Sequence, residues 1–319
     1  MSIKIRQAKS KEIKKNIKVV KLMTRGMSFD ENMSKVNWKA VRRISNIGYA
    51  FMPKEKGIKV YRINIGDTVS EISIPDISKA NERDDEVIIL YIHGGGFVSG
   101  SASSSRGYSS MLAKYLGYKV IAVNYRLAPE HPFPAGLDDC YNVVSDVLRR
   151  YPKSKLILVG ESAGANLAIA TALRAKDNGI NRIVALIIHS PFMDFSASLN
   201  RDEHKVDDFT VKEGCLKSLN EIYVGDNDVK NPYISPIYGD YNGFPPTFIT
   251  CDYNETLYAD AVSLYRLCEE AGVNVEMIQM KGAFHAFATT GTGTPETKQI
   301  LEECVEFMRE NVLCFTMRN

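Results

Sequence analysis

Lys155-Leu156-Ile157-Leu158-Val159-Gly160-Glu161-Ser162-Ala163-Gly164-Ala165-Asn166 is the stretch on which the fold reading turns. Residues 155–159 are a short apolar run of strand length, and 163–176 follow with the pattern of a helix. Between them stands Gly-Glu-Ser-Ala-Gly. Small residues on either side of a serine permit a strained strand-to-helix turn that lifts the hydroxyl clear of a sheet. The plain alternative is a glycine-bracketed turn with an incidental serine. The strand before it and the helix after it argue against that alternative.

Outward from this turn, strand and helix patterns alternate. Residues 87–92 form a continuous apolar run, as expected for a strand buried on both faces of a parallel sheet. Strands are expected at 118–123, 183–188, 247–250 and 273–279, and helices at 137–150, 257–271 and 295–312. Upstream, 59–65 and 69–74 alternate with period two, and 81–86 reads as a charged turn. This order predicts an α/β fold with a mostly parallel central sheet flanked by helices. Residues 195–240 break the rhythm. They are polar, with an amphipathic piece around 211–223, and read as an insertion capping one end of the sheet.

Composition narrows the function classes. The chain has 319 residues, 45% of them apolar and 24% charged, which is ordinary for a globular protein and excludes a disordered or collagen-like chain. With 40 basic and 38 acidic residues there is no charge excess of the kind a nucleic-acid binder carries. No apolar stretch approaches a membrane span, and the charged N-terminus is unlike a secretory signal. A cytoplasmic protein without stable membrane insertion is expected. Residues 1–25 nevertheless hold nine Lys or Arg and one Glu. Ile13, Ile17 and Val20 are spaced for one face of a helix, so this segment either packs on its own protein, the plainer reading, or lies on an anionic membrane surface. Cys140, Cys215, Cys251, Cys268, Cys304 and Cys314 show no metal-binding spacing and read as reduced and mostly buried.

Two further features carry chemistry. His93-Gly94-Gly95-Gly96-Phe97 follows the 87–92 strand, and successive glycines there let backbone N–H groups approach a ligand. Together with the N–H of Ala163, such a loop can hold an oxyanion. A phosphate loop is disfavoured, because neither G-x-x-x-x-G-K-[ST] nor a helix-opening G-x-G-x-x-G is present. A serine hydroxyl also needs a base oriented by a carboxylate. Of five histidines, His93 belongs to the glycine loop, His131 to a Pro-rich turn and His204 to the insertion. His189 ends a core strand and reads as packed. His285 follows the last strand, where the order Ser, acid, His requires the base. The acid must lie between Ser162 and His285 on a loop after a core strand; 245–257 offers that, with Asp252 and Glu255 both available, and periodicity does not choose between them. Asp260 reads as structural.

With these pieces in place, the chain resembles the hormone-sensitive-lipase-like branch of the α/β-hydrolases. Tyr125-Arg126-Leu127-Ala128-Pro129-Glu130, Ser190-Pro191-Phe192-Met193-Asp194 and Ser235-Pro236 match that branch's pattern from about residue 60 onward. The resemblance implies Ser162 as nucleophile, His285 as base, and Gly95, Gly96 and Ala163 as oxyanion donors, with Gly94 shaping the loop. It implies Glu255 as the acid, two residues before Leu257. Glu161 stands where the branch more often has Asp, a difference expected to affect packing rather than chemistry. Arg126, Glu130 and Asp139 are expected to pair beneath the site. By the same resemblance, 1–50 and 195–240 form a helical cap, while 51–194 and 241–319 form the α/β-hydrolase core. The implied activity is hydrolysis of short- to medium-chain acyl esters without metal or organic cofactor. Deacetylase, lactonase and amidase chemistry, or a non-catalytic receptor, are the alternatives. The partner is then a small acyl ester, and a homodimer is implied by analogy.

Overall fold

The structure is a computed structural model and describes residues 2–24, 36–43, 54–76, 87–201, 208–289 and 294–313. The expected turn at 81–86, His204, Cys314 and most of 1–50 beyond Thr24 lie outside the described residues. Nine strands form one sheet: β1 (Ser2–Gln7), β2 (Ile58–Ile65), β3 (Thr68–Pro75), β4 (Val87–Ile92), β5 (Lys119–Val123), β6 (Lys155–Glu161), β7 (Ile183–His189), β8 (Thr247–Asp252) and β9 (Val275–Lys281). Their spatial order is β1-β9-β8-β7-β6-β4-β5-β3-β2. Pairs from β1 through β5 are parallel, and β3 joins β5 and β2 antiparallel.

Alternation of side chains explains why the central strands read as unbroken apolar runs. In β4, Ile88, Leu90 and Ile92 enter one core cluster while Val87, Ile89 and Tyr91 enter the other. The first cluster packs under α3 (Ala135–Arg150), α4 (Ala163–Asp177) and α6 (Tyr258–Glu270). The second packs under α1 (Lys11–Thr24), α2 (Arg106–Leu116) and α7 (Pro295–Met308). A short helix α5 (Glu213–Leu219) continues into a π-turn at Asn220–Val224 and supplies the expected amphipathic piece of the insertion.

The N-terminal segment departs from the expected cap. Ser2–Gln7 is an edge strand, parallel to β9. It was not legible because its apolar residues face outward. Ile3 and Ile5 are exposed, while Lys4 and Arg6 turn inward to Glu276 at 2.9 Å and Glu303 at 3.3 Å. α1 packs on the protein itself: Ile13 is fully buried, and Ser10 Oγ donates to Glu296 at 2.6 Å. In the last turn of α1, Lys21 lies over the ring of Phe209 in the insertion. The helical residues 38–43 do lie by the strand ends, where Arg42 donates to the Val98 carbonyl at 2.6 Å and to Glu130 at 2.8 Å. Among the described residues, no helix is long and apolar enough to cross a membrane. Helix α2 also went unforeseen, because serines and a glycine open it; Tyr108, Met111, Leu112 and Tyr115 nevertheless keep helical spacing.

Helix α4 approaches β4 closely. A methyl group on Gly164 would stand 2.2 Å from the Ile92 carbonyl oxygen and 2.3 Å from that of His93. Backbone blocks it on both counts. Gly164→Ala is therefore expected to lose about 3 kcal/mol in urea unfolding. A loss below about 0.5 kcal/mol would show that helix and strand separate freely.

Candidate active site

Every expected site residue follows the carboxyl end of a parallel strand, so all gather at one edge of the sheet. Ser162 occupies the sharp turn between β6 and α4 with φ 55° and ψ −122°, a conformation rare for a residue bearing a side chain. Its N–H donates to the His189 carbonyl at 2.9 Å. The turn requires both flanking glycines: a methyl on Gly160 would meet the Gly164 oxygen at 2.4 Å. Being the N-cap of α4, Ser162 also stands at the electropositive end of a buried helix.

The glycine loop lies directly against this turn. A methyl on Gly94 would stand 3.3 Å from Ser162 Cβ. Gly95 and Gly96 take φ of 111° and 61°. The Gly94 N–H itself donates to Glu161 Oε1 at 3.2 Å, which braces the loop. Phe97 then turns into an aromatic cluster with the insertion, stacked on Tyr223 at 3.9 Å and tilted against Phe195 at 5.7 Å.

Glu255 and His285 are brought together. Glu255 is buried and the His285 side chain is 9% exposed; Glu255 Oε2 lies 3.5 Å from His285 Nδ1, an ion-pair distance longer than a normal hydrogen bond. His285 Nε2 is buried without a hydrogen-bond partner among the described residues, so the imidazole is not bonded to the Ser162 hydroxyl in this structure. Asp252 is engaged otherwise. Its oxygens accept the N–H groups of Asn254 at 2.9 Å and Ala283 at 2.7 Å, which fastens the β8 loop to the His285 loop. Geometry thus separates two carboxyls that spacing left equivalent.

Burial governs the electrostatics. Desolvation raises the Glu255 carboxyl above its ordinary range, against the opposing pull of His285 and the Ser190 hydroxyl. Burial also works against the His285 imidazolium, yet Glu255, with Asp208 and Glu161 behind it, holds that pKa above the ordinary histidine value. Asp252 is pushed up to about 6 by burial, despite the two N–H groups it accepts. The other core histidines go the opposite way. Burial lowers His93 to about 4 and His189 to about 3. His189 lies with one ring nitrogen 2.7 Å from Thr250 Oγ1 and the other 2.7 Å from Tyr108 Oη, as a packed structural histidine should.

The surrounding pairs are partly as expected. Arg126 and Asp139 form the ion pair at 2.8 Å. Glu130 does not join them; it pairs with Arg42 of the helical residues 38–43. Asp260 is structural, bonded to Arg201 at 2.7 Å and to the Met193 N–H at 2.8 Å. Asp208 accepts the Thr256 N–H at 2.8 Å and thereby ties the insertion to the loop carrying Glu255. Among residues that sequence reasoning missed, Ser190 and Thr289 also bond within the site, and their only signal was position just after a strand or a candidate histidine.

A family model described as alpha/beta hydrolase fold matches residues 89–289. This chain belongs to that family. Among known relatives, the α/β-hydrolase is 32% identical to an esterase of Acinetobacter venetianus over 247 residues, 74% of this chain and 82% of the relative. It is 31% identical to an acetyl-hydrolase of Streptomyces hygroscopicus, over 71% of this chain and 77% of that one. A solved esterase of the bacterial hormone-sensitive lipase family superposes with a TM-score of 0.84 at 28% identity, covering 96% of this chain and 99% of the other. The α/β-hydrolase therefore sits in the hormone-sensitive-lipase-like branch, and it is a carboxylic ester hydrolase.

At Glu161, where the branch more often has Asp, the carboxylate accepts from the Tyr91 hydroxyl at 2.8 Å, from the Gly94 N–H and from Thr289 Oγ1. It links the glycine loop to the loop that follows His285, across the residue preceding Ser162. Glu161→Ala is expected to slow ester hydrolysis by the hydrolase at least tenfold, since the loss of a charge-assisted bond frees both loops. Wild-type turnover by this variant on p-nitrophenyl acetate would return Glu161 to a packing role.

Proposed function

We propose that this hydrolase is a serine carboxylesterase acting on short- to medium-chain acyl esters through Ser162, His285 and Glu255. The observation that carries the reading is the buried Glu255 carboxylate facing His285 Nδ1, on the loops that follow the last two strands, β8 and β9. His285 takes the Ser162 proton as the serine oxygen bonds to the ester carbonyl carbon. The resulting oxyanion is held by N–H groups of Gly95, Gly96 and Ala163, each worth about 3 kcal/mol in such a role. The imidazolium then protonates the leaving alcohol, and water repeats the sequence on the acyl-enzyme. Glu255 keeps the proton on Nδ1 and stabilises the imidazolium while it exists.

The acyl side is supported by two observations. The Phe97, Phe195 and Tyr223 rings form an apolar wall beside the glycine loop. The relative from Streptomyces is named an acetyl-hydrolase, which favours the short end of the range. A small ester partner and a cytoplasmic site of action complete the proposal. The latter rests on the buried thiols Cys140, Cys251, Cys268 and Cys304, which form no disulfide among the described residues.

Two experiments test these assignments. On p-nitrophenyl acetate, Ser162→Ala is expected to remove nearly all turnover, and Glu255→Gln at least a thousandfold of kcat. Asp252→Asn should lose at least tenfold less than Glu255→Gln. The reverse ranking of the two carboxyl variants would make Asp252 the acid, and near-full activity of Ser162→Ala would place the nucleophile elsewhere.

The pH dependence has a definite sign. His285 must be neutral to accept a proton, and its pKa in the folded protein is raised, with Glu255 outweighing burial. kcat/KM should therefore fall tenfold per pH unit on the acid side, with the bend above the ordinary histidine value of about 6.5. A rate independent of pH through that region, or a bend well below it, would contradict His285 as the base.

A further inference from the structure

Two adjacent residues at the end of β7 touch all three loops of the proposed triad. The His189 carbonyl accepts the Ser162 N–H at 2.9 Å. Ser190 Oγ donates to Glu255 Oε2 at 2.8 Å and accepts the Ala286 N–H at 2.9 Å. Ser190 is 1% exposed and holds φ 48°, and Ala286, next to His285, holds φ 55°. Neither residue is glycine, so surrounding contacts must hold both in this sparsely populated region.

We propose that Ser190 is a positioning residue for catalysis: its hydroxyl fixes at once the carboxylate oxygen that faces His285 and the backbone that carries His285. The inference rests on the Ser162–His285–Glu255 reading and deepens it. A serine hydroxyl has one proton and two lone pairs. Here the proton is committed to Glu255 Oε2, and a lone pair receives the Ala286 N–H, so the rotor has one setting. The oxygen it grips is the one 3.5 Å from His285 Nδ1, whereas Glu255 Oε1 has no hydrogen-bond partner among the described residues. Without Ser190 Oγ the buried carboxylate has little else to decide which oxygen it presents. The Asp252 N–H reaches Oε2 only at 3.4 Å. The loop at Ala286 would also lose its anchor, and with it the aim of the imidazole.

The test compares Ser190→Ala with Ser190→Gly on p-nitrophenyl acetate, each assayed well below its melting temperature. Alanine removes the hydroxyl and keeps the strained backbone. Glycine removes the hydroxyl and accepts φ 48° without strain, so it guards against simple misfolding. Both are expected to lose about 10- to 100-fold in kcat, the worth of a hydrogen bond to a buried charged group, with KM changed by less than about threefold. Wild-type kcat in either variant, or a loss confined to KM, overturns the proposal. Failure of the underlying triad is seen separately, as full activity of Ser162→Ala.

Discussion

The structure depends on one backbone constraint, the near-contact between the first turn of α4 and the end of β4. Gly164 lies so close to the Ile92 and His93 carbonyls that no side chain fits, and Gly160 is equally crowded by Gly164. Held this tightly, the chain can pass from β6 to α4 only through a reversal at Ser162 with positive φ. The hydroxyl is thereby carried on the rim of the sheet, at the positive end of a helix that is buried for most of its length. A looser turn would let the serine relax into ordinary helical geometry and drop toward the core. Strain at this point is stored because the packing of the sheet over-determines it.

The parallel order of the central strands does the rest of the assembly. Successive strands β6, β7, β8 and β9 all end on the same rim, so Ser162, Ser190, Glu255 and His285 become neighbours although they are spread over more than a hundred residues. Four non-glycine residues with positive φ cluster there: Phe97, Ser162, Ser190 and Ala286. Each is fixed from outside its own loop or by a stacked ring. Glu161 braces the glycine loop and the loop after His285, while Ser190 and Asp252 brace the loops that carry Glu255 and His285. A buried carboxylate is unfavourable unless donors or a cation compensate it. At Glu255 the Ser190 hydroxyl supplies the donor at 2.8 Å and His285 lies 3.5 Å away.

Legibility in the sequence followed the physics of each element. Strands buried on both faces, such as Val87–Ile92, and helices with a wide apolar face, such as Ala135–Arg150, announce themselves by periodicity. β1 did not, since its isoleucines point outward and its cations Lys4 and Arg6 are neutralised by partners 272 and 297 residues away. Ser162 and the glycine loop were readable because steric need restricts those positions to very few residue types. The choice between Asp252 and Glu255 was not readable, because it depends on where the amides of Asn254 and Ala283 point. Glu161 and Ser190 stayed hidden for a similar reason. A lone polar residue after a strand says nothing until its partners on other loops are placed.

The central claim is that Ser162 is an activated nucleophile rather than a strained but inert turn residue. The most direct measurement is reaction of the intact protein with a fluorophosphonate, followed by peptide mass mapping. The account predicts a single phosphonyl adduct on the peptide that carries Ser162, formed rapidly at neutral pH. No adduct, or an adduct on another serine, would contradict it.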